Sequence, residues 1–582
     1  MTTVEELDNS DFENDDFEDA CDIPNDIPEE INLTEAIIEA QTAIQYFFNN
    51  QFNEAKQIMQ PRAKASIYHA VGNCVFAFLE AMLTFEHAHI VEASNALKLC
   101  LAVCNRHRKK SSLAQNITKM VKKTDYDSYS ELEVHAELCY AETLLLKAML
   151  TFVEDETLSS FIRGGLKIRS CFNSYKECKI ILDNREWSKC ETKEHIESGV
   201  CMGIGAFNLM ISMLPSRIIK LLEIIGFSGD KKIGMANLEA GYRMTNGIRQ
   251  ILCVMTLLGY HLIVMFVLSH QDGDLQMCEE ILKEQLAKYP KGVWFLFFKG
   301  RLEFLKGNLD EATKWYAQSW HSQNHWTQFH HLCFWELLWV SCCKLEWKEA
   351  SKYAGMLVEQ SRWSKTIYSY QRAAIICMFN DKTENDKVTI INLLKDVPKY
   401  KQRIAGKSLP MEKFAVKKAE RYFEQNNSLV LPAIELMFLW NFFKIFRKNF
   451  KMANATYKII EKEIQNINSL ENKTKYYADN RALLLLLKGA CLRQMRAPLQ
   501  ALECLEVVVS LQKEIKEDTY IVPYAIVEIG MLAFEDGDYE KAMLAFDDAR
   551  KKYTSYSLES RLHFRIHTAC TAIKEKSTSS IH

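Results

Sequence analysis

Hydrophobic residues recur at helical spacing along most of the chain, and the pattern is clearest near the C-terminus. Between residues 523 and 555, Ala542, Phe546 and Ala549 fall on one face of a helix, because they are separated by four and then three residues. Gly530 lies in the preceding apolar stretch, at a position where a bulky side chain would push two crossing helices apart. The pattern therefore predicts two antiparallel helices that cross closely at Gly530.

Gly537, Asp538 and Tyr539 stand between these two predicted helices and have the composition of a tight turn. Glycine tolerates the positive φ that such a turn requires, and aspartate can cap the helix that follows. We expect Tyr539 to wedge into the turn. The whole spacing is the signature of a tetratricopeptide repeat, a helix pair of about 34 residues that must stack on neighbours to bury its apolar face.

Other parts of the chain keep the same offsets with fewer of the signature residues. The best of these copies contains Gly300, Gly307, Ala312 and Tyr316. The degenerate copies are marked by Gly489, Ala501 and Leu505, by Trp347, Ala350 and Ala354, by Phe450, Ala453 and Tyr457, and weakly by Phe52, Ala55 and Met59 and by Ala81, Ala93 and Leu97. The sequence therefore predicts an all-α fold, a tetratricopeptide-repeat-like helical solenoid of antiparallel helix pairs, whose candidate site residues are the repeat-defining ones.

Composition shifts divide the chain into six predicted segments. The first residues are rich in Asp and Glu and poor in hydrophobic residues, which is typical of disorder. The segments are a disordered acidic tail at 1–30, a divergent N-terminal helical region at 31–230, a central helical repeat region at 231–390, a polar basic loop at 391–408, C-terminal tetratricopeptide repeats at 409–575 and a disordered tail at 576–582. Phe12 and Phe17 leave two interpretations of the acidic tail open, a solvated tail or an acidic-aromatic docking peptide.

The composition supports a helical protein of a reducing compartment. Among 582 residues there are only 10 prolines and 21 glycines, a scarcity that fits long helices joined by short turns. The net charge of −3 argues against a general nucleic-acid-binding protein. The 18 cysteines are scattered without a Cys-x-x-Cys pair, and the N-terminal residues lack the apolar core of a signal peptide. We therefore predict a cytoplasmic location, with the nucleus as the alternative.

Two apolar stretches raise the alternative of membrane association. In the segment 199–230, the glycines at 199, 203 and 205 do not match the dinucleotide fingerprint, so we interpret them as close helix contacts, with Pro215 ending or kinking the helix. The run 251–268 has 18 residues, near the lower limit for a membrane span. This run contains polar residues and lacks a strongly basic flank, which favours a buried solenoid helix.

Four histidines and a cysteine lie close together at His321, His325, His330, His331 and Cys333. On a helix, the first two would be one turn apart, a spacing that suits metal ligands. The glutamate of a metalloprotease motif is missing and aromatic residues surround the group, so we interpret these as core or interface histidines. No nucleophile elbow, phosphate-binding loop or kinase motif occurs in the sequence. We therefore predict that the protein is not an enzyme and has no catalytic residue, metal or cofactor.

Several longer blocks occur in one order over nearly everything after the acidic tail. They are FIRGGLK at 161–167, GIG at 203–205 with FSG at 227–229, HHLCFWEL at 330–337, SRWSK at 361–365, KKAERY at 417–422 and RLHFRIH at 561–567. With these blocks, the chain resembles the tetratricopeptide repeat protein 39 family, which shares its domain with the fungal inclusion body clearance proteins. The resemblance implies an all-helical fold with a few recognisable repeats, a cytosolic adaptor without catalytic residues, and a link to the clearing of misfolded protein or to protein turnover.

The sequence therefore predicts a non-enzymatic scaffold or adaptor for protein–protein interaction. We expect its partners to be other proteins, each contributing a peptide or a helix to a groove of the solenoid, and we expect no nucleic acid. The alternative is a peripheral membrane or lipid-linked regulatory protein. The blocks around Gly203, Trp363 and Lys417 are not required by a generic repeat, so we expect a specific function to reside there.

Overall fold

The computed structural model describes residues 31–84, 86–109, 125–154, 158–213, 229–361, 363–401, 409–469 and 474–579. Throughout this part of the chain the regular elements are helices and none is a strand, so the predicted all-α fold of packed helix pairs is confirmed. The chain forms two compact units, Met1–Leu257 and Leu258–His582, which are described one at a time.

The first unit is built from helices that pack mainly against their neighbours along the chain. They are α1 (Leu33–Phe48), α2 (Phe52–Met59), α3 (Ile67–Thr84), α4 (His87–His107), α5 (Glu131–Glu154), α6 (Leu158–Asn184), α7 (Lys193–Ser212), α8 (Lys231–Arg243) and α9 (Gln250–Gly259). The boundary between the units falls within α9, which continues through a π-helical turn at Tyr260–Val264.

The second unit begins with the end of that helix and continues as a series of antiparallel pairs. Its helices are α10 (Met265–Leu268), α11 (Leu275–Lys288), α12 (Val293–Lys306), α13 (Leu309–His321), α14 (Thr327–Cys343), α15 (Trp347–Gln360), α16 (Lys365–Cys377), α17 (Glu384–Asp396), α18 (Pro410–Glu424), α19 (Pro432–Leu439), α20 (Phe450–Asn468), α21 (Tyr477–Gln494), α22 (Pro498–Ser510), α23 (Ile521–Asp536), α24 (Tyr539–Lys552) and α25 (Glu559–Ser579).

Side-chain caps start many of these helices. The Asn32 carboxamide accepts a hydrogen bond from the backbone N–H of Glu35, and Asp274 accepts one from Met277. Such caps satisfy backbone donors that have no partner inside the helix. Short polar residues therefore set the start of helices whose interior pattern is apolar.

In the first unit, helices α7 and α8 cross at glycines. A Cβ built on Gly205 would lie 3.0 Å from the carbonyl oxygen of Gly234, and a Cβ on Gly234 would lie 2.8 Å from the backbone nitrogen of Leu209. Backbone atoms cannot yield as flexible side chains can, so both positions require glycine. The prediction that Gly205 makes a close helix contact is confirmed, whereas Pro215 lies outside the described residues.

In the second unit the two helices of a pair are buried to different extents. Eleven of the fourteen residues of α12 are buried, but only four of the thirteen residues of its partner α13. The same contrast holds for α23 and α24, with eleven and three buried residues. The first helix of a pair is therefore covered on both faces, and the second helix presents one face to solvent.

Three of the predicted segment boundaries differ from the structure. The basic loop predicted from residue 391 starts later, because α17 runs to Asp396 and is held by the buried side chains of Ile390 and Leu394. Residues 576–579, predicted as part of a disordered C-terminal tail, belong to α25, which extends to Ser579, and residues 580–582 lie outside the described residues. The division predicted at residue 230 lies at Leu257, because α8 packs against α7 and belongs to the first unit.

Two further predicted segments lie outside the described residues. These are the acidic tail at 1–30, with its two phenylalanines, and residues 402–408 of the basic loop. Both remain predictions.

Candidate functional site

One turn geometry occurs five times among the described residues, each time between two packed helices. The residue at its centre has a positive φ and is Asn50 (67°), Gly307 (85°), Leu345 (61°), Arg496 (61°) or Gly537 (88°). The next residue donates its N–H to the carbonyl five residues earlier, as from Asp538 to Ala533 and from Glu346 to Ser341, both at 2.9 Å. This is a Schellman turn, which satisfies the free carbonyls at a helix end. Each second helix starts two residues after the central residue of the turn.

An alanine follows each central residue at the same distance, five positions along the chain. All five of these alanines have an exposed fraction of 0%, and they are Ala55, Ala312, Ala350, Ala501 and Ala542. In the copies that contain these five turns, the alanine therefore keeps the same distance from the turn, and the copies predicted at Phe450 and at Ala81 are not among them.

Glycine lies at the closest crossing in the three pairs where the sequence placed it, at Gly300, Gly489 and Gly530. A Cβ built at each would lie 2.7 Å from a side-chain atom of the second helix, in Tyr316, Leu505 and Phe546 respectively. Real Cβ atoms do not approach neighbours within 3.0 Å, so each glycine makes room for one large residue. Ala549, one turn beyond Phe546, is also fully buried.

The pair α14 and α15 shows the same crossing with the sizes exchanged. Leu338 stands where the other first helices carry glycine, and Ala354 stands where the second helices carry a large residue. Both side chains have an exposed fraction of 0%. A helix crossing tolerates a change in its side chains when their total volume stays the same. The large residue can therefore lie on the first helix or on the second, provided that the other helix carries a small one.

The remaining predicted residues lie at the turns. Asp538 caps α24 by accepting a hydrogen bond from the backbone of Lys541 at 3.0 Å. Tyr539 is half-buried, with its ring 5.7 Å from that of Phe534. A Cβ on Gly307 would lie 2.9 Å from the Cβ of Lys448, so this glycine serves both the positive φ and a close approach.

Lys448 ends a segment that fills the inside of the second unit. This inner segment, residues 432–448, consists of α19 and the 3₁₀ helix Phe442–Lys448. Residues with positive φ stand at its entrance and in its middle, at Leu431 (41°) and Asn441 (69°). All eight residues of α19 are buried, which is unusual for a helix of this length and shows that it is surrounded by other elements.

The inner segment packs against the first helices of the pairs on its N-terminal side. The ring of Trp440 lies edge-on to Trp335 of α14 at 5.2 Å. The ring of Phe442 is stacked on Trp339 of α14 at 4.6 Å and lies 5.8 Å from Phe304 of α12. These aromatic pairs add directional attraction to the burial of apolar surface.

The inner segment also contacts the first helices on its C-terminal side. The ring of Phe438 lies 5.9 Å from Tyr524 of α23. The side chain of Glu435, 1% exposed, is ion-paired with Lys418 of α18 at 2.6 Å and accepts a hydrogen bond from the Tyr520 hydroxyl. Burial raises the pKa of Glu435, and Lys418 opposes that rise. Lys418 also pairs with Asp518 at 2.9 Å, so one buried lysine ties three parts of the unit together.

These contacts change the expectation of a groove that receives a partner peptide. The inner face formed by α12, α14 and α23 is occupied by the chain's own inner segment, whose burial would have to be undone before a peptide could enter. The open groove predicted from the repeats is therefore absent along these helices. The second helices remain partly exposed, and the two most exposed apolar side chains in the described residues lie on them: Leu499 at 77% and Leu544 at 65%.

The residues of the predicted histidine cluster lie on three successive parts of the chain, the end of α13, the connection and α14. His321 is the last residue of α13 and His325 lies in the connection before α14, so the two do not share a helix as the spacing suggested. His330 shares a hydrogen bond with the backbone carbonyl of Gln323 at 2.7 Å, and the Cys333 thiol points to Ser319. No group of metal-ligating side chains is found in the part of the chain that the structure describes. His330 is buried, whereas His321 and His325 are exposed, so the interpretation of core histidines holds for His330 alone.

In the first unit, a buried polar cluster joins three helices. Arg249 forms two hydrogen bonds of 2.8 Å with the carboxylate of Glu142 and a third of 2.8 Å with the Tyr68 hydroxyl. Tyr68 shares a short hydrogen bond of 2.6 Å with Nδ1 of His135. Burial lowers the pKa of His135 well below its usual range, and Arg249 adds to that effect. The cluster is thus a neutral network built around one ion pair.

Sequence reasoning missed the inner segment and two of the five turns. The segment has a sequence signal, the apolar run PAIELMFLWNFFKIF at 432–446, but its periodicity does not reveal what the run packs against. The turns at Leu345 and Arg496 lack glycine, the residue that marks this conformation in a sequence.

Several of the blocks that carry the family resemblance make buried contacts, among them block 330–337, in which Trp335 contacts Trp440. Lys418 and Arg421 of block 417–422 hold Asp518, and Gly203 lies against Tyr175, where a Cβ would come within 1.9 Å of the ring. Trp363 is 39% exposed. The side chains of block 161–167 lie outside the described residues.

Comparison with known proteins identifies the family. The model of the Iml2/Tetratricopeptide repeat protein 39 family matches residues 41–495. Tetratricopeptide repeat protein ttc-39B of Caenorhabditis elegans is 36% identical over 551 residues, which cover 93% of this chain and 92% of that protein. The crystal structure of yeast Tom70 aligns over 94% of this chain and 96% of its own at 11% identity, with a TM-score of 0.24, too low to support an argument. The chain therefore belongs to the Iml2/Tetratricopeptide repeat protein 39 family.

Proposed function

We propose that the protein is a non-enzymatic scaffold that binds partner proteins through the outward faces of its second helices. The observation that carries this proposal is the unequal burial of each pair. The first helices are enclosed by the chain itself, whereas the second helices keep an exposed face with isolated apolar side chains. Repeat stacks of this kind present long surfaces for other proteins.

We further propose that this scaffold works in the cytosol, in protein turnover or in the clearance of misfolded protein. The seventeen described cysteines are free, and most are buried, which supports a reducing compartment. The link to clearance is supported only by the family. Cells that lack the protein should therefore clear an aggregated reporter more slowly, and re-expression of the intact chain should restore the rate. Equal clearance rates with and without the protein would remove this part of the proposal.

The binding surface can be tested with the double variant Leu499→Asp and Leu544→Asp. Both positions are exposed, and an aspartate at 499 lies in the first turn of α22, where a negative charge is favourable. We expect an unchanged melting temperature and the loss of most partners that proximity labelling identifies for the intact protein. The matched control is Ile38→Asp, 56% exposed on α1, which should keep the full partner set. A partner set that is the same in all three proteins would rule out this surface.

The alternative function is a peripheral membrane protein. Two described helices have the length and apolar character of a membrane span, Ile67–Thr84 with mean hydropathy 1.3 and Gln250–Leu268 with 2.5. Half or more of each is buried, at 61% and 50%, and Cys253, Val254 and Leu257 have an exposed fraction of 0%. This burial favours core helices. Carbonate extraction of cell membranes should leave the protein in the soluble fraction, and its retention in the pellet would favour the alternative.

A further inference from the structure

We propose that the first unit binds one small, neutral, apolar molecule with a single hydrogen-bond-accepting group, such as a fatty alcohol. The site is a cleft of about 300 Å³ between α1, α3, α5 and α9. This volume lies at the lower end of the range for ligand pockets in proteins, which is about 300–1,000 Å³. All of the residues that line it belong to the first unit.

The walls of the cleft are apolar side chains that are not fully covered by protein. They come from several helices and include Ile44, Val71, Val75, Leu79, Leu145 and Leu252. These side chains are partly buried, and Leu252 is 40% exposed, whereas neighbouring core residues such as Leu138 and Cys139 have an exposed fraction of 0%. Single exposed aliphatic residues are ordinary on a protein surface, but several that converge on one concavity are typical of a binding site.

The floor of the cleft is polar but carries no free charge. Tyr68, Glu142 and Arg249 all line it, and each is less than 10% exposed. The guanidinium of Arg249 donates to both carboxylate oxygens of Glu142, to the Tyr68 hydroxyl and to the sulfur of Cys139, so its charge is already paired with a carboxylate. The charges of the pair balance, which favours a neutral ligand over a carboxylate.

Tyr175 supplies one unused polar group at this site. The residue lines the cleft and is 1% exposed, and its hydroxyl has no hydrogen-bond partner among the described residues. Because Gly203 has no side chain, the ring of Tyr175 fits against it, and a Cβ there would lie 1.9 Å from Tyr175 Cε1. A buried hydroxyl without a partner is unfavourable, and an oxygen of a bound ligand would satisfy it.

The size of the cleft limits the ligand. A water molecule occupies about 30 Å³ in the liquid, so the cleft holds roughly ten groups of that size. A linear chain of about that many carbons with a terminal hydroxyl satisfies the apolar walls and gives Tyr175 an acceptor. This inference is independent of the protein-binding role proposed above, because none of the cleft residues lies on the second helices of the C-terminal pairs.

The test is a titration of the full-length protein with the neutral fluorescent probe N-phenyl-1-naphthylamine. We expect saturable binding at one site per chain. The variant Val75→Trp fills the cleft and should weaken binding of the probe at least tenfold. The matched control is Val91→Trp on α4, where Val91 is 43% exposed and outside the cleft, and it should bind as the intact protein does. Should Val75→Trp not fold, as a melt would reveal, Leu79→Trp takes its place.

Competition defines the class of ligand. 1-Decanol should displace the probe at a concentration at least tenfold lower than decanoate, since Glu142 already balances the charge of Arg249. Tyr175→Phe should bind the probe normally but require several-fold more 1-decanol for displacement. The proposed binding site is ruled out if the probe shows no saturable binding at probe concentrations up to 100 times that of the protein. It is also ruled out if Val75→Trp and Val91→Trp bind the probe equally well. Equal displacement by 1-decanol and decanoate would rule out the preference for a neutral ligand.

Discussion

Both units place glycine where helices cross, as at Gly205 and Gly234 in the first unit, but the first unit also uses glycine for a second purpose. In the second unit, Gly489 and Gly530 make room for a large apolar residue of the partner helix, and so they set the distance between two helices. In the first unit, Gly203 makes room for Tyr175, and a Cβ on Gly199 would lie 3.1 Å from Cδ of Arg249. Glycines that recur in the repeats therefore report the architecture, whereas Gly199 and Gly203 accommodate the side chains of one particular cluster.

The largest expected effects come from removing one buried contact in each unit. Arg249→Met leaves Glu142 buried without its partner, and we expect a loss of about 3–5 kcal/mol in the first unit. Phe442→Ala removes the ring that stacks on Trp339, and we expect a similar loss of about 3–5 kcal/mol in the second unit. Hydrogen exchange followed by mass spectrometry should show faster exchange in residues 31–257 for the first variant and in 258–579 for the second.

The matched control for the second variant is Phe450→Ala, because Phe450 is 64% exposed. It should change stability by less than about 0.5 kcal/mol. If each of the two core variants speeds exchange equally in both units, the division of the chain into two units does not describe its stability.

A size exchange tests the role of glycine in the second unit. Gly530→Leu places a side chain against Phe546, so we expect a loss of about 3 kcal/mol from overpacking. The double variant Gly530→Leu with Phe546→Ala reproduces the arrangement of Leu338 and Ala354 and should recover at least half of that loss in chemical denaturation. Additive losses in the double variant would show that the crossing does not depend on the sum of the two volumes.

A pH series tests His270, a partly buried histidine of the second unit. Burial lowers the pKa of His270 to about 4, and the nearby cations Lys444 and Arg565 add to the effect. The unfolded chain takes up the proton near pH 6.5 and the folded chain does not, so stability is full above that pH and declines as the pH falls towards 4. Between pH 7 and pH 5 the decline from this residue is about 2 kcal/mol.

His270→Leu should flatten the difference in denaturation midpoint between pH 7 and pH 5 by that amount, as followed by circular dichroism in urea. His331→Leu is the matched comparison, since burial also lowers the pKa of His331 to about 4. Unchanged pH dependence in the His270 variant would show that water reaches the ring in solution.

The smallest expected effect concerns the turns. Arg496→Gly should stabilise the protein by about 1 kcal/mol, because glycine adopts a positive φ without the steric cost of a side chain. Gly537→Arg should destabilise it by a similar amount of about 1 kcal/mol, since a Cβ there meets no atom within 4 Å and only the backbone conformation opposes it. Thermal melts of the two variants should move in opposite directions. Melting temperatures that move in the same direction would indicate that the two turns do not share one backbone geometry.

The sequence predicted the helix pairs because their signals are local. Gly537, Asp538 and Ala542 lie within six residues of one another, and each follows from the geometry of one turn. At Leu345 and Arg496 the same geometry is held by the flanking helices, so the local signal is lost while the structure is kept. The pattern of buried alanines is what still identifies these copies.

The contacts that distinguish the molecule from a generic repeat stack could not be predicted in this way. Arg249 and Glu142 are 107 residues apart, and Lys418 and Asp518 are 100 apart. Periodicity says that such residues stand on helices, but it does not say which helices meet. The groove expectation was wrong along α12, α14 and α23 for the same reason, since nothing local shows that residues 432–448 return to the inner face.

The inner segment has a consequence for how the second unit can change in length. An ordinary solenoid gains or loses one helix pair at little cost, because each pair touches only its neighbours. Here Phe442 reaches back to α12 and α14 while Phe438 reaches forward to α23. Duplicating or deleting one pair would carry one set of these partners out of reach. The number of pairs is therefore locked by geometry, and the unit can diversify only by substitution within a fixed count.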